Sequence, residues 1–189
     1  MASQKNADKL VLEHFFRKPS DRATVSELAR ETKLAKSAVS RAVKKLEQQS
    51  YLKTARKGNI LLIEANAYEN EVYRRKKILS NLAQIFESGI VDSLIRDYRH
   101  PAAIVLFGSF RHGYDDEQSD IDIAVETYAD ALPKRYSYAP IEKLTGRIVN
   151  VLEFSRSAIE AGLLSNIANG IVLYGYLAVT PVDKSVPLK

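Results

Sequence analysis

Apolar residues recur along the first third of the chain at intervals of three and four, the spacing that lines one face of a helix. Leu10, Val11, His14 and Phe15 mark the first such segment, and Lys18-Pro19-Ser20 ends it. Thr24-Val25-Ser26-Glu27 is a capping-box pattern, in which a hydroxyl and a carboxylate three residues apart satisfy each other's backbone N–H groups. It opens a second helix with Leu28 and Ala29 facing inward. After a break at Lys33-Leu34, a third helix is predicted over Lys36 to Gln48, with Val39, Val43 and Leu46 on one face and Ser37, Ser40, Arg41, Lys44 and Lys45 on the others. Tyr51 to Lys53 and Asn59 to Ile63 then read as strands around a turn at Arg56-Lys57-Gly58, a hairpin with a basic tip.

Asn66 to Phe86 contains neither glycine nor proline and brings Tyr68, Val72, Leu79, Leu82 and Phe86 to helical intervals, which predicts a long connecting helix ended by Ser88-Gly89. Its run Arg74-Arg75-Lys76-Lys77 has two readings, a solvated face or an extension of a nucleic-acid-contacting surface. Its apolar positions suit a homodimer. A shorter helix over Ile90 to Tyr98 follows, and then the period changes to that of strands in Ala102 to Phe107, Ile121 to Val125 and Gly146 to Phe154. Tyr136 to Leu144 is expected to be helical with a break at Pro140, Ser157 to Asn169 to be a last helix, Ile171 to Tyr174 a closing element, and the tail from Pro181 disordered. The expected fold class is α/β (α+β): a three-helix-and-hairpin module (1–65), a linker helix (66–87), a mixed sheet with flanking helices (88–180) and a tail (181–189).

With 46% hydrophobic and 27% charged residues in 189, the composition is that of a globular protein with one large or two small cores. No apolar run approaches the roughly 20 residues that span a bilayer, and the opening MASQKNADK lacks a secretory apolar stretch, so a cytoplasmic location without membrane attachment is expected. The absence of cysteine removes disulfides, thiolate nucleophiles and Cys-ligated zinc, and His14, His100 and His112 fit no metal-ligand spacing. Charge is uneven: residues 1–65 hold 14 Lys/Arg against 7 Asp/Glu, and residues 66–189 hold 14 against 16. A cationic first third beside a slightly acidic remainder points to a nucleic-acid-binding module attached to a domain of another kind.

The chemistry is concentrated in Gly108 to Val125, GSFRHGYDDEQSDIDIAV. Gly108 and Ser109 leave one apolar strand, and Asp120 and Asp122 alternate with Ile121 and Ile123 on the next. Residues i and i+2 of a strand share a face, so the two carboxylates point together with their backbones about 6 to 7 Å apart. Two carboxylates plus substrate phosphates are the usual ligands of Mg²⁺. Gly108 admits phosphate oxygens to the backbone, and Ser109 adds a hydroxyl and an N–H where a helix begins.

This stretch, over Ile90 to Tyr176, resembles the nucleotidyltransferase superfamily related to DNA polymerase β, in particular its minimal members. The resemblance implies Mg²⁺-dependent transfer of a nucleoside monophosphate from a nucleoside triphosphate such as ATP to a hydroxyl, with Gly108 and Ser109 on the triphosphate and Asp120 and Asp122 on the metal. A protein acceptor, such as a partner toxin modified on tyrosine, is suggested by the minimal members. A tRNA- or antibiotic-modifying transferase fits the short C-terminal domain less well. Two departures stand out. Arg111 is displaced by one position from the family's basic residue, which leaves its phosphate role open, and the family's third carboxylate falls on Asn150. An amide cannot serve as a general base. Glu153 is the nearest carboxylate, on the opposite face of the strand unless the strand bends or bulges between them.

The first module resembles a winged helix-turn-helix domain, the likeness resting on ETKLAKSAVSRAVKKLEQQSYL. Duplex DNA is the implied partner, with Ser37, Ser40 and Arg41 offered to base edges and Lys44, Lys45, Arg56 and Lys57 to phosphates. Two departures are Lys33 in the inter-helix turn, where glycine is frequent, and Ala35 in place of a serine N-cap. Two functions compete: a nucleotidyltransferase coupled to a DNA-binding module, and a DNA-binding regulator whose nucleotidyltransferase-like domain binds nucleotide with weak or no catalysis.

Overall fold

The computed structural model describes residues 2–68, 70–127 and 138–178, with side chains from residue 7 onward. The disordered tail expected from residue 181 lies outside the described residues. Helix α1 (Ala2–Arg17) buries Ala7, Val11, Leu12, Phe15 and Phe16. Helix α2 (Val25–Thr32) begins on the full capping box of Thr24 and Glu27. The hydrogen bonds that Glu27 accepts from the Thr24 backbone and side chain hold its carboxyl below the usual glutamate range. Lys33 ends the helix in a left-handed conformation (φ 57°), where glycine would be less strained. Helix α3 (Lys36–Gln48) buries Val39, Ala42, Val43 and Leu46 against α1 and α2, and Ala35 supplies no side-chain cap.

Strands β2 (Leu52–Lys57) and β3 (Ile60–Ala65) form the hairpin, and a two-residue strand β1 (Arg22–Ala23) pairs with β3, giving an antiparallel sheet of order β1-β3-β2. The turn lies two residues beyond its expected place. Lys57 pairs with Ile60, so the tip is Gly58-Asn59, with Gly58 at φ 62° as a two-residue hairpin loop requires, and Arg56 and Lys57 belong to the strand. His14 is a structural histidine, with Nε2 2.7 Å from Asp21 Oδ2 and Nδ1 2.9 Å from Glu31 Oε2.

The connecting helix α4 (Glu71–Glu87) starts five residues later than expected, because the Asn70 side chain caps it by accepting from the N–H groups of Val72 and Tyr73. Its apolar positions do not share one environment, Leu82 packing half-buried against the second core. Val72, Leu79 and Phe86 are 52%, 62% and 55% exposed, whereas Tyr73, Lys77, Asn81 and Ile85 are buried. The basic run is accordingly divided: Lys77 is interior, Arg74 is half-buried beside Glu71, and Arg75 and Lys76 face solvent.

Helix α5 (Ile90–Asp97) leads into β4 (Ala103–Phe107), the short helix α6 (Gly108–His112) and β5 (Ile121–Glu126). Helix α7 (Ala139–Thr145) carries Pro140 in its first turn instead of breaking there, since a proline so placed forfeits no helical hydrogen bond; the expected positions 136–137 lie outside the described residues. Strand β6 (Val149–Phe154), helix α8 (Ala161–Ala168) and strand β7 (Ile171–Gly175) complete the described chain, β6 starting three residues and α8 four residues later than expected. The sheet order is β6-β5-β4-β7, with β5 and β6 parallel and the other pairs antiparallel. One face of the sheet buries Ile104, Leu106, Ile121, Ile123 and Val125 with residues of α4, α5, α6 and α7. The other packs Val105, Ala124 and Phe154 against Ile167 of α8. The protein is thus α+β, with a helical module carrying a small antiparallel sheet, a connecting helix and a mixed sheet with flanking helices.

Candidate functional site

Antiparallel pairing sets Phe107 opposite Asp122, so the chain leaving β4 turns directly beside that carboxylate. Gly108 makes the turn at φ 73°. A Cβ there would collide with Asp122 Oδ2 and lie 3.3 Å from its Cγ, so only glycine tolerates both the backbone angle and the neighbour. Ser109 follows in the first turn of α6. On the far side of β5, the parallel register sets Asn150 opposite Asp122. Asn150 Nδ2 lies 3.1 Å from Asp120 Oδ2 and 3.3 Å from Asp122 Oδ1, one amide nitrogen donating to both carboxylates. Gly108, Asp120, Asp122 and Asn150 therefore form one cluster.

Glu153 does not join it. The β5–β6 register runs without interruption from Ile121–Val149 to Glu126–Phe154, so no bulge turns Glu153 across the sheet. Its Oε1 accepts from the Tyr98 hydroxyl at 2.6 Å, on the side where α5 packs. Arg111 belongs to the last turn of α6, and its guanidinium lies against the His112 ring, 3.0 Å from Nε2. Desolvation, then Arg111 and Arg74, push the His112 imidazole below its ordinary range.

The donor set is hard, oxygen-based and anionic, as Mg²⁺ and Mn²⁺ require. The Asn150 N–H groups occupy the space between two like charges that a cation would neutralise. Among the described residues no group of three or more His, Asp or Glu side chains is arranged to hold a metal. Two carboxylates completed by phosphate oxygens fit one divalent ion held jointly with a nucleotide; a cage of three carboxylates is not present.

Sequence reasoning missed the buried cluster beside this site. Lys77 Nζ lies 3.2 Å from Asp115 Oδ2 and also donates to the Asp115 carbonyl, Arg147 Nη2 donates to the same carboxylate oxygen at 2.8 Å, and Asn81 Nδ2 donates to Oδ1 at 2.9 Å. Burial pushes the Lys77 ammonium down while Asp115 opposes the shift. The sequence offered only a basic run and an acidic loop, with nothing to pair them.

On the first module, Ser37, Ser40, Arg41 and Lys44 are exposed along α3, and Arg56 and Lys57 are exposed on the hairpin. Arg41 Nε donates back to the Ser37 carbonyl at 3.3 Å. Lys45 is set apart: its ammonium pairs with Asp8 of α1 and is committed within the module. Ile60 and Leu61, 54% and 38% exposed, give the hairpin an apolar flank beside its cations.

Residues 90–176 match the family model described as Polymerase beta, Nucleotidyltransferase, and residues 7–58 match that of the MarR family. No curated protein and no solved structure matches the chain. No helix among the described residues is long and apolar enough to cross a membrane. The two matches fall on the two cores, one on each side of α4, so the chain carries a MarR-like winged-helix module followed by a nucleotidyltransferase-like domain similar to that of polymerase beta.

Proposed function

We propose that this is a DNA-binding regulator whose second domain binds a divalent metal with a nucleoside triphosphate and transfers the nucleoside monophosphate to a hydroxyl only slowly. The observation that carries the reading is the Asn150 amide between Asp120 and Asp122, where a transferase needs a base. Asp120 and Asp122 hold the metal, Mg²⁺ by preference, while Gly108 and Ser109 receive the β and γ phosphates of ATP or a related nucleotide. A bound Mg²⁺ supplies neutralisation of the phosphates and of the departing pyrophosphate. In the transfer an acceptor oxygen attacks the α phosphorus, the bond to the β-phosphate oxygen breaks, and pyrophosphate leaves. The acceptor's proton has to reach a base, and Asn150 cannot take it. A protein hydroxyl is the acceptor class we favour. Duplex DNA engages α3 and the hairpin, with Ser37, Ser40 and Arg41 toward the bases and Lys44, Arg56 and Lys57 toward phosphates.

Calorimetry of ATP binding with Mg²⁺ and with EDTA, together with pyrophosphate release by wild type and Asn150→Asp, tests the reading. Binding that requires the metal, slow wild-type turnover and a gain in the variant are expected, the gap attributable to a positioned base being about 10² to 10⁴-fold. Equal binding in EDTA, or fast wild-type turnover that Asn150→Asp leaves unchanged, would overturn it.

A further inference from the structure

Asp120 precedes β5, at the end of the irregular segment 114–120, so the ladder alone does not fix it. Besides the Asn150 amide on its carboxylate, the bonds that hold the residues on either side of it come from two consecutive residues between α7 and β6. Arg147, 7% exposed, donates from Nη1 to the carbonyls of Asp116 and Ser119, the latter at 2.7 Å. Its neighbour Ile148 accepts from the N–H of Ile121 at 2.9 Å. Both residues adjoining Asp120 are therefore tied to the 147–148 segment. The guanidinium carbon also lies 5.5 Å from the centre of the Phe110 ring, on the residue after Ser109. One buried side chain thus touches the segment that delivers Asp120 and the helix that carries Gly108 and Ser109. Asp115, bonded to Arg147 Nη2, extends the contact to Lys77 and Asn81 of α4.

We propose that Arg147 is a positioning residue of the nucleotide site, holding segment 115–119 so that Asp120 stands beside Asp122. It rests on the reading of these two carboxylates as metal ligands. The planar fork is essential, because one nitrogen serves two carbonyls while the other serves a carboxylate; a lysine ammonium keeps the charge but cannot span all three acceptors. Groups that orient metal ligands from behind typically contribute 10 to 100-fold in metal affinity, and an ångström of misplacement is costly in a site of this type.

The test compares Arg147→Lys with Arg156→Lys in the full chain. Arg156 makes the same kind of forked pair, 2.8 Å from each oxygen of Glu126, at the opposite end of β5. Mn²⁺ alone and Mg²⁺ with ATP are titrated into each protein, with melting temperatures and amide exchange at Ser119 to Ile121 measured alongside. Arg147→Lys should weaken both probes by about tenfold or more and speed exchange at those amides; Arg156→Lys should leave both probes where wild type has them. If Arg147→Lys binds as wild type does, or if Arg156→Lys loses as much, Arg147 is only structural. Should Arg147→Lys not fold, Asp115→Asn, which removes the charge facing Nη2, replaces it, and unchanged Mn²⁺ affinity there overturns the proposal. A wild-type protein that binds neither probe instead removes the nucleotide reading on which this one stands.

Discussion

Helices α3 and α4 both carry an apolar stripe at helical spacing, and they use it in opposite ways. In α3 the stripe of Val39, Val43 and Leu46 is buried and the cations lie outside. In α4 the stripe of Val72, Leu79 and Phe86 lies outside, and the interior face presents Tyr73, Lys77 and Asn81 ahead of Ile85. The cause is what each helix meets. The buried face of helix α3 packs on apolar side chains of α1 and α2 within one core. Helix α4 passes between two cores and meets backbone carbonyls and a carboxylate. The Tyr73 hydroxyl donates to the Phe15 carbonyl at 2.8 Å, Asn81 donates to the Phe110 carbonyl at 2.9 Å, and Lys77 serves Asp115. Burial pushes the Tyr73 phenol well above its usual range, so it remains a donor at any ordinary pH. Spacing identifies which residues share a face; the neighbour decides which face is interior.

The largest expected effect breaks the polar interior of α4. Asp115→Ala would leave the buried Lys77 and Arg147 side chains without their shared counter-ion, a change that typically costs about 3 to 5 kcal/mol. That is as large as the roughly 2 to 5 kcal/mol expected for Leu46→Ala in α3, where a buried leucine leaves a cavity. Chemical denaturation of both variants checks the equivalence. A loss below 1 kcal/mol for Asp115→Ala, with Leu46→Ala in its usual range, would show that α4 is held by its few apolar contacts instead.

The same contrast explains what was legible in the sequence. The capping box at Thr24, the limits of α3 and the alternation in β5 depend on residues within a few positions of one another, so local chemistry fixes them. The place of Asn150 beside the aspartates was implied by the family resemblance and not by any period in the sequence; its opposition to Asp122 comes from the β5–β6 register. The Lys77–Asp115–Arg147 cluster joins residues 38 and 32 positions apart, and no period links them. Strand β1, at two residues, is too short to show an alternation, and exists because β3 has a free edge beside it. The inverted burial of α4 needed both of its neighbours before it could be read.

A smaller effect sharpens the use of the α3 exterior. If its cations serve DNA, Arg41→Ala should cost about 1 to 3 kcal/mol at a preferred site and relax base preference there, whereas Lys44→Ala should weaken all sequences and lower the salt slope by about 1. Lys45→Ala should change that slope less than Lys44→Ala does, since its ammonium is already paired with Asp8. Binding isotherms at several salt concentrations separate the three. Equal effects from Lys44 and Lys45 would mean that the Asp8 pair opens on binding, and no salt dependence at all would remove DNA as the partner of this face.

The smallest effect concerns the exterior of α4. Leu79 is 62% exposed, so Leu79→Ser should alter the stability of a dilute sample by no more than about 0.5 kcal/mol, far less than either interior substitution. The stripe then contributes nothing to the fold of a single chain, and its spacing of seven residues from Val72 to Leu79 to Phe86 is available to a second copy. Melting curves over a hundredfold range of protein concentration distinguish the two situations. A wild-type midpoint that rises with concentration, and a Leu79→Ser midpoint that does not, would make the second copy the missing neighbour of this face. Midpoints that coincide at every concentration would leave α4 a helix whose apolar side simply faces water, and a loss above 2 kcal/mol in the dilute sample would refute the burial pattern on which the contrast with α3 depends.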